Sequence, residues 1–201
     1  MRFDWLWSQH NTILQLLLWH SYLSIVPVIV GLILAIPVGW GINRLSSLKS
    51  FIINIFGLLY TIPSLALFVL LPPLLGTKIL DPINVLVALT IYSFALLVRI
   101  VSDGLDSVSP DTRQAASAIG FTPLQQFFQV NLPLAVPVIG AGMRVAIVSN
   151  VSIVSVAALI GTPQLGSLFT QGFQLQFLTP IIAGIALSIL LALILDRLVV
   201  F

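Results

Sequence analysis

The sequence predicts an all-α integral membrane protein with about five transmembrane helices, and three observations carry that prediction. Only 7% of its 201 residues are charged, eight Lys or Arg and six acids, while 59% are hydrophobic and the mean hydropathy is +1.15. A soluble domain of ordinary composition is about 25% charged, so lipid must be the solvent for much of this surface. Second, five apolar runs approach the ~20 residues that span a bilayer as a helix. Third, these runs are continuous and do not alternate apolar with polar residues, which argues against a β-barrel. A soluble enzyme and a disordered chain are excluded on the same grounds, and the absence of Cys excludes a disulfide scaffold. The net charge of +2 comes from scattered residues that form no basic face for nucleic acid.

Residues 1–21 read as an N-terminal segment lying in the membrane interface, at the start of a single transmembrane domain that occupies 1–201. Asp4 and Trp5 follow Arg2 directly and no small-residue cleavage pattern precedes the first span, unlike a signal peptide. Trp5, Trp7 and Trp19 suit an interfacial belt, with Ile13, Leu14, Leu16, Leu17 and Leu18 as the apolar side. His10 and His20 have no partner at ligand spacing and read as interfacial polar groups.

The spans are placed at Tyr22–Ile42, Phe51–Leu75, Ile83–Val98, Leu134–Ile160 and Pro180–Val200. Pro27 and Pro37 fall in the first, and Pro63, Pro72 and Pro73 in the second. Each proline removes a backbone donor, so the carbonyl it frees must face protein or a wet path rather than acyl chains. Gly31, Ala35 and Gly39, and later Gly184, Ser188 and Ala192, recur every fourth position. That spacing permits close helix approach, either within the chain or at a subunit interface. With the N-terminus outside and the C-terminus inside, the inner segments hold Arg44, Lys49, Arg99, Arg113 and Arg197, and the outer ones only Arg2 and Lys78. The positive-inside bias therefore selects N-out, C-in.

The break from Arg99 to Pro133 is much longer than a helical hairpin requires, and Asp103, Asp106, Asp111 and Arg113 lie in it. Ser109 suits an N-cap, with Pro110 at the first helical position and Asp111 favourable to the dipole. This helix is expected to run to Ile119 and stop at Gly120. Thr122 and Pro123 open a second, expected to end at Asn131 before Pro133. Ala115, Ala116 and Ala118 keep the first helix slim enough to enter another protein's groove.

This loop resembles the motif E-A-A-x3-G-x9-I-x-L-P of the permease subunits of bacterial ABC importers. It appears as Gln114-Ala115-Ala116, Gly120 and Val130-x-Leu132-Pro133 with every spacing kept; Gln114 stands where Glu is usual, and Val130 where Ile is usual. Thr61-Ile62-Pro63-Ser64-Leu65-Ala66-Leu67 resembles a stretch of the osmoprotectant permeases for glycine betaine, carnitine, choline and similar quaternary ammonium compounds. So do Leu71 to Gly76, Tyr92 to Arg99, Ala141 to Ala146 and Ala157 to Gly161, although Leu96 replaces a frequent Pro and the Gly161–Gly166 end is less glycine-rich. The resemblance implies a methionine-permease-like, type I ABC importer fold in the bacterial inner membrane. It implies residues 99–133 as the cytoplasmic ATPase-coupling loop, through Gln114, Ala115, Ala116, Gly120, Leu132 and Pro133. The implied partners are a second permease subunit, two cytoplasmic ATPases and an extracytoplasmic substrate-binding protein, working by alternating access. The chain has no G-x4-G-K-[ST] loop, so ATP and Mg²⁺ would be bound by the partners and this subunit carries no cofactor of its own.

Polar groups inside spans are candidates for a translocation path: Tyr60, Thr61, Ser64, Tyr92, Ser149, Asn150 and Ser152. Tyr60 and Tyr92 offer π faces to a quaternary ammonium group; Ser, Thr and Asn equally serve helix–helix hydrogen bonding. Arg144 is expected to snorkel or to pair with Asp103 or Asp106. No His, Cys or acid cluster lies within a span, so neither a metal site nor catalytic residues are expected. Competing readings are a permease for methionine or another amino acid, and an ATPase-independent channel or membrane scaffold.

Overall fold

The computed structural model describes residues 2–45 and 47–199, so Val200, the expected end of the last span, lies outside the described residues. Helix α1 covers Phe3–Ser8 and α2 His10–Ile42. The expected interfacial segment is therefore not a separate unit. From His10 onward it continues into the first span as one helix of 33 residues, because the apolar run from Ile13 meets the next with no breaker before Pro27. Helix α2 packs along α5, Pro82–Asp106. The small residues of α2 explain that contact. Gly31 lies against Ser93 and Phe94, and Gly39 against Val98 and Val101, both too close to admit a Cβ. The first small-residue stripe thus serves packing within the chain. In the last span Gly184 meets Leu168 and Phe169 of the same chain.

The second span is a broken one. Helix α3, Lys49–Tyr60, and α4, Ser64–Leu75, are bent by 93° across three residues. Pro63 cannot donate, and it pushes Ile62 out of the helical region. The freed groups find partners: Thr61 Oγ1 donates to Leu58 O at 2.7 Å, and Tyr92 Oη donates to Ile62 O at 2.5 Å. Pro72 and Pro73 are accommodated inside α4, which closes on Gly76 with φ +67°.

Helix α5 starts at an Asp81 cap, whose side chain accepts from Ile83 N at 3.0 Å, with Pro82 at the first position. It does not end at Val98. Its last two turns carry Arg99, Asp103 and Asp106, so the charges mark where the helix leaves lipid rather than where it stops. After α6, Pro110–Ala118, a continuous helical stretch runs from Pro123 to Ile160. It comprises α7 (Pro123–Gln126), a π-helical turn (Phe127–Asn131), α8 (Leu132–Val156) and a 3₁₀ turn (Ala157–Ile160). The expected stop before Pro133 is absent. The wider π turn immediately before the proline absorbs its clash and its missing donor, so the chain passes through without ending.

Helix α9, Ser167–Gln174, folds back onto α10, Leu178–Leu198, through a tight turn with Gln176 at φ +50°. Two apolar clusters hold the bundle. Leu97, Val98, Val101, Ala135, Ile147 and Val151 belong to the larger, which α2, α5 and α8 share. Phe68, Leu89, Tyr92 and Val154 fill the smaller, around α4 and the upper part of α5. Among the described residues, four helical stretches are long and apolar enough to cross a membrane, five with the bent α3–α4 pair.

Candidate functional site: the α6 protrusion and the polar centre

The α6 loop is built by local capping at both ends. Ser109 Oγ accepts from Thr112 N at 3.2 Å, Pro110 occupies the first turn, and Asp111 sits at the positive end of the dipole. The helix closes on Gly120 at φ +90°, a backbone shape that favours glycine, and a Cβ there would meet nothing within 4 Å. Thr122 then forms a reciprocal capping box with Gln125. Gln126 Nε2 donates back to Arg113 O at 3.0 Å, tying α6 to the start of the next helix. Ala116 is buried inward, whereas Gln114, Ala115, Ser117 and Ala118 are exposed and Ile119 is 73% exposed. The outer face of α6 is therefore small, nearly uncharged and unoccupied within the chain. The motif residues divide accordingly: Gln114, Ala115, Ala116 and Gly120 belong to α6 and its exit, and Leu132 and Pro133 open α8.

The expected path residues are not one cluster. Tyr60, Thr61, Ser64 and Tyr92 gather at the α3–α4 break, with the two tyrosine rings edge to face at 5.8 Å. Asn150 is consumed internally, donating to Ser24 O at 3.2 Å and Ser93 Oγ at 3.0 Å. Ser152 opens into a groove of about 350 Å³ between α8, α9 and α10, shared with Ser155, Phe169 and Ser188. Ser149 is half-buried on α8 and belongs to neither group.

Two expectations are corrected. His20 is not an interfacial group: it is fully buried, its Nε2 donates to Val151 O at 2.9 Å, and its Nδ1 lies 3.2 Å from Gln164 Oε1. The continuous α2 places it against α8 at that level. Arg144 pairs with neither Asp103 nor Asp106. Asp103 faces Arg99 one turn away, Asp106 is held by Lys49 and Asn43, and Arg144 instead binds Asp196. Gln164 and Asp196 are functional-looking residues that sequence reasoning passed over. For Asp196 a signal existed, since an acid beside an apolar run asks for a partner; for Gln164 none did.

Apolar helices around a centrally packed α5, a broken second span and a capped helical protrusion define a polytopic helical membrane protein. The chain belongs to the family described as binding-protein-dependent transport system inner membrane component, which it matches over residues 27–201. It is 38% identical to the osmoprotectant import permease protein OsmW of Salmonella typhimurium strain LT2, over 88% of this chain and 83% of that one. It is 31% identical to the glycine betaine/carnitine/choline transport system permease protein OpuCB of Bacillus subtilis strain 168, over 88% and 80%. An inward-facing structure of the MetNI methionine ABC transporter superposes with a TM-score of 0.78, covering 96% of each chain at 22% identity, which establishes the shared fold. The protein is thus a multi-pass inner-membrane permease of the ABC importer class.

Proposed function

We propose that this chain is the translocating subunit for a quaternary ammonium osmoprotectant such as glycine betaine, carnitine or choline, driven by separate ATPases. The observation that carries the coupling role is the α6 protrusion: a short helix, capped at both ends, whose outer face of Gln114, Ala115, Ala118 and Ile119 is left uncovered. The cargo class is supported by the printed substrates of the relatives. The solved methionine transporter shares fold at 22% identity and lends no cargo.

In this reading the N-terminus is outside and the C-terminus inside, following the distribution of Lys and Arg. Residues 99–133 face the cytoplasm, and the exposed part of α6 seats in a groove of an ATPase that binds ATP and Mg²⁺. A second permease, identical or paralogous, completes a path that one chain of about five spans is too small to enclose. An extracytoplasmic binding protein delivers cargo and supplies the affinity. ATPase closure pulls both α6 helices and rocks the permeases about the path. Tyr60 at the α3–α4 break offers an aromatic face to a quaternary ammonium group passing without a carboxylate partner, while Tyr92, buried in the smaller core and bonded to Ile62 O, holds the break in shape.

Reconstitution tests this. The chain, its ATPase and its binding protein in proteoliposomes should take up labelled glycine betaine or choline only when ATP is inside. Uptake of methionine in preference transfers the cargo to the amino-acid reading. Uptake that needs neither ATP nor the ATPase makes the chain a channel.

A further inference from the structure

We propose that the cavity beneath α6, between Arg44 and Arg113, binds the phosphate group of an anionic phospholipid. The cavity measures about 220 Å³ and is lined by polar groups from four segments: Asn43 and Arg44 after α2, Arg113 on α6, Gln126 on α7 and Asn131 at the end of the π turn. Trp40 forms one wall.

Among the described residues, neither guanidinium pairs with a carboxylate. The ion pairs among the described residues are Lys49–Asp106, Arg99–Asp103 and Arg144–Asp196, which leaves Arg44 and Arg113 with no acid within 4.0 Å. Asp106, a carboxylate from the end of α5, does not line the cavity; Lys49 neutralises it and Asn43 Nδ2 donates to it. Arg44 sits over Trp40, with its guanidinium carbon 3.9 Å from the centre of the ring. Stacking of this kind fixes the plane of the fork and leaves its N–H edges for an oxyanion. Trp40 is itself pinned by Phe127 at 4.6 Å between ring centres.

A further polar group in the cavity wall has no partner. Asn131 Oδ1 is turned into the protein without a hydrogen bond. With Oδ1 turned inward, the Nδ2 end of this carboxamide is the group left to meet an anion in the cavity. The other amides are spoken for: Asn43 is engaged by Ser102 and Asp106, and Gln126 by Arg113 O.

The depth selects the source of the phosphate. The apolar run of α2 ends at Ile42, and Trp40 followed by Arg44 is the order in which a helix leaves hydrocarbon for headgroups. A basic pocket at that level faces the anionic surface of the inner leaflet. A headgroup seated there would bridge the end of α2 to α6 and brace the protrusion against the membrane.

The inference rests on the membrane fold and on the proposed N-out orientation, but its test reads lipid binding and not transport, so its failure and a failure of uptake are separate results. The test is native mass spectrometry of the full-length chain in zwitterionic detergent, titrated with phosphatidylglycerol and with phosphatidylcholine. Phosphatidylglycerol should bind in preference. Arg44→Gln with Arg113→Gln should weaken it about tenfold or more, given the attraction of each basic residue for an anionic surface. Arg99→Gln, outside the cavity, should leave binding unchanged. If the double variant does not fold, Asn131→Asp, nearly isosteric, should weaken binding by adding negative charge to the cavity. Equal binding of both lipids, or an equal loss in Arg99→Gln, overturns the site. Displacement of the lipid by millimolar inorganic phosphate overturns the lipid source and reassigns the cavity to a free anion.

Discussion

Arg144 and Asp196 form a two-pronged pair across α8 and α10, with Nε donating to Oδ1 at 2.8 Å and Nη2 donating to Oδ2 at 2.7 Å. The planar fork matches the carboxylate, which gives direction as well as attraction. The pair sits one turn beyond Val148 and Ala192, which line the groove between the two helices. Arg144→Gln and Asp196→Asn should each lower the thermal midpoint of the purified protein. The double variant should lose less than the two singles together, because neither change then strands a lone charge. A strictly additive cycle would show that the pair does not couple α8 to α10.

Close packing against α5 separates two glycines. A Cβ at Gly142 would strike the side chain of Ile100, whereas one at Gly31 would stand 2.9 Å from the backbone nitrogen of Phe94. Gly142→Ala should cost about 1–3 kcal/mol, and Ile100→Ala should recover part of it by making room. Gly31→Ala should cost at least as much and resist rescue by any trimming of a side chain, because the backbone is the obstacle. Thermal unfolding in detergent reads both.

Gly120 and Gly76 share a left-handed backbone with open space around it, at φ +90° and φ +67°. Alanine at either should cost about 1–2 kcal/mol from backbone strain alone. Only Gly120→Ala should also weaken co-purification of the ATPase and uptake, since Gly120 sets the exit of α6. Gly76→Ala is the control for strain without coupling, and matched losses in both would detach Gly120 from the coupling role.

His20 joins α2 to α8 and to the segment before α9 through Val151 O and Gln164 Oε1. Gln164 in turn accepts from Gly166 N and donates to Ser155 O at 3.3 Å, so one imidazole steadies a whole turn. His20→Leu should destabilise the fold by about 1–3 kcal/mol by removing the N–H that Val151 O accepts in a buried site, and His20→Gln should recover part of the loss. Unchanged unfolding of His20→Leu would make the contact incidental.

Gln114 is exposed on α6, where the family pattern has Glu. Gln114→Glu should leave the unfolding midpoint of the isolated chain within error. A change confined to ATPase affinity or ATP turnover in the assembled transporter would place this side chain at the subunit contact; a change in the isolated chain's stability would place it in the fold.

Much of this architecture was legible because its causes are local. Ser109, Pro110, Gly120, Thr122 and Pro123 act through hydrogen bonds and dihedrals within a few residues, so they marked the start of α6, its glycine exit and the start of the next helix. Apolar runs announced spans because the solvent is uniform along them. Helix ends were less legible. The charges Arg99 to Asp106 resembled a loop but continue α5, and Pro133 resembled a stop but is carried by a π turn. In both cases a residue type that ends helices in general was compensated by its surroundings.

By itself, the sequence determined that the chain lives in lipid, roughly where it crosses, and that one helical protrusion interrupts it, since these follow from composition, period and short spacing; the importer type of that protrusion came from its resemblance to the family motif. Tertiary structure alone decided which polar groups meet. His20 and Gln164 are 144 residues apart, and Arg144 and Asp196 are 52 apart. Only the packing of α2, α8 and α10 brings them within hydrogen-bond reach. The same packing gathers Arg44, Arg113 and Asn131 around one cavity, because buried polar groups choose partners by proximity in space, a quantity that spacing along the chain does not encode.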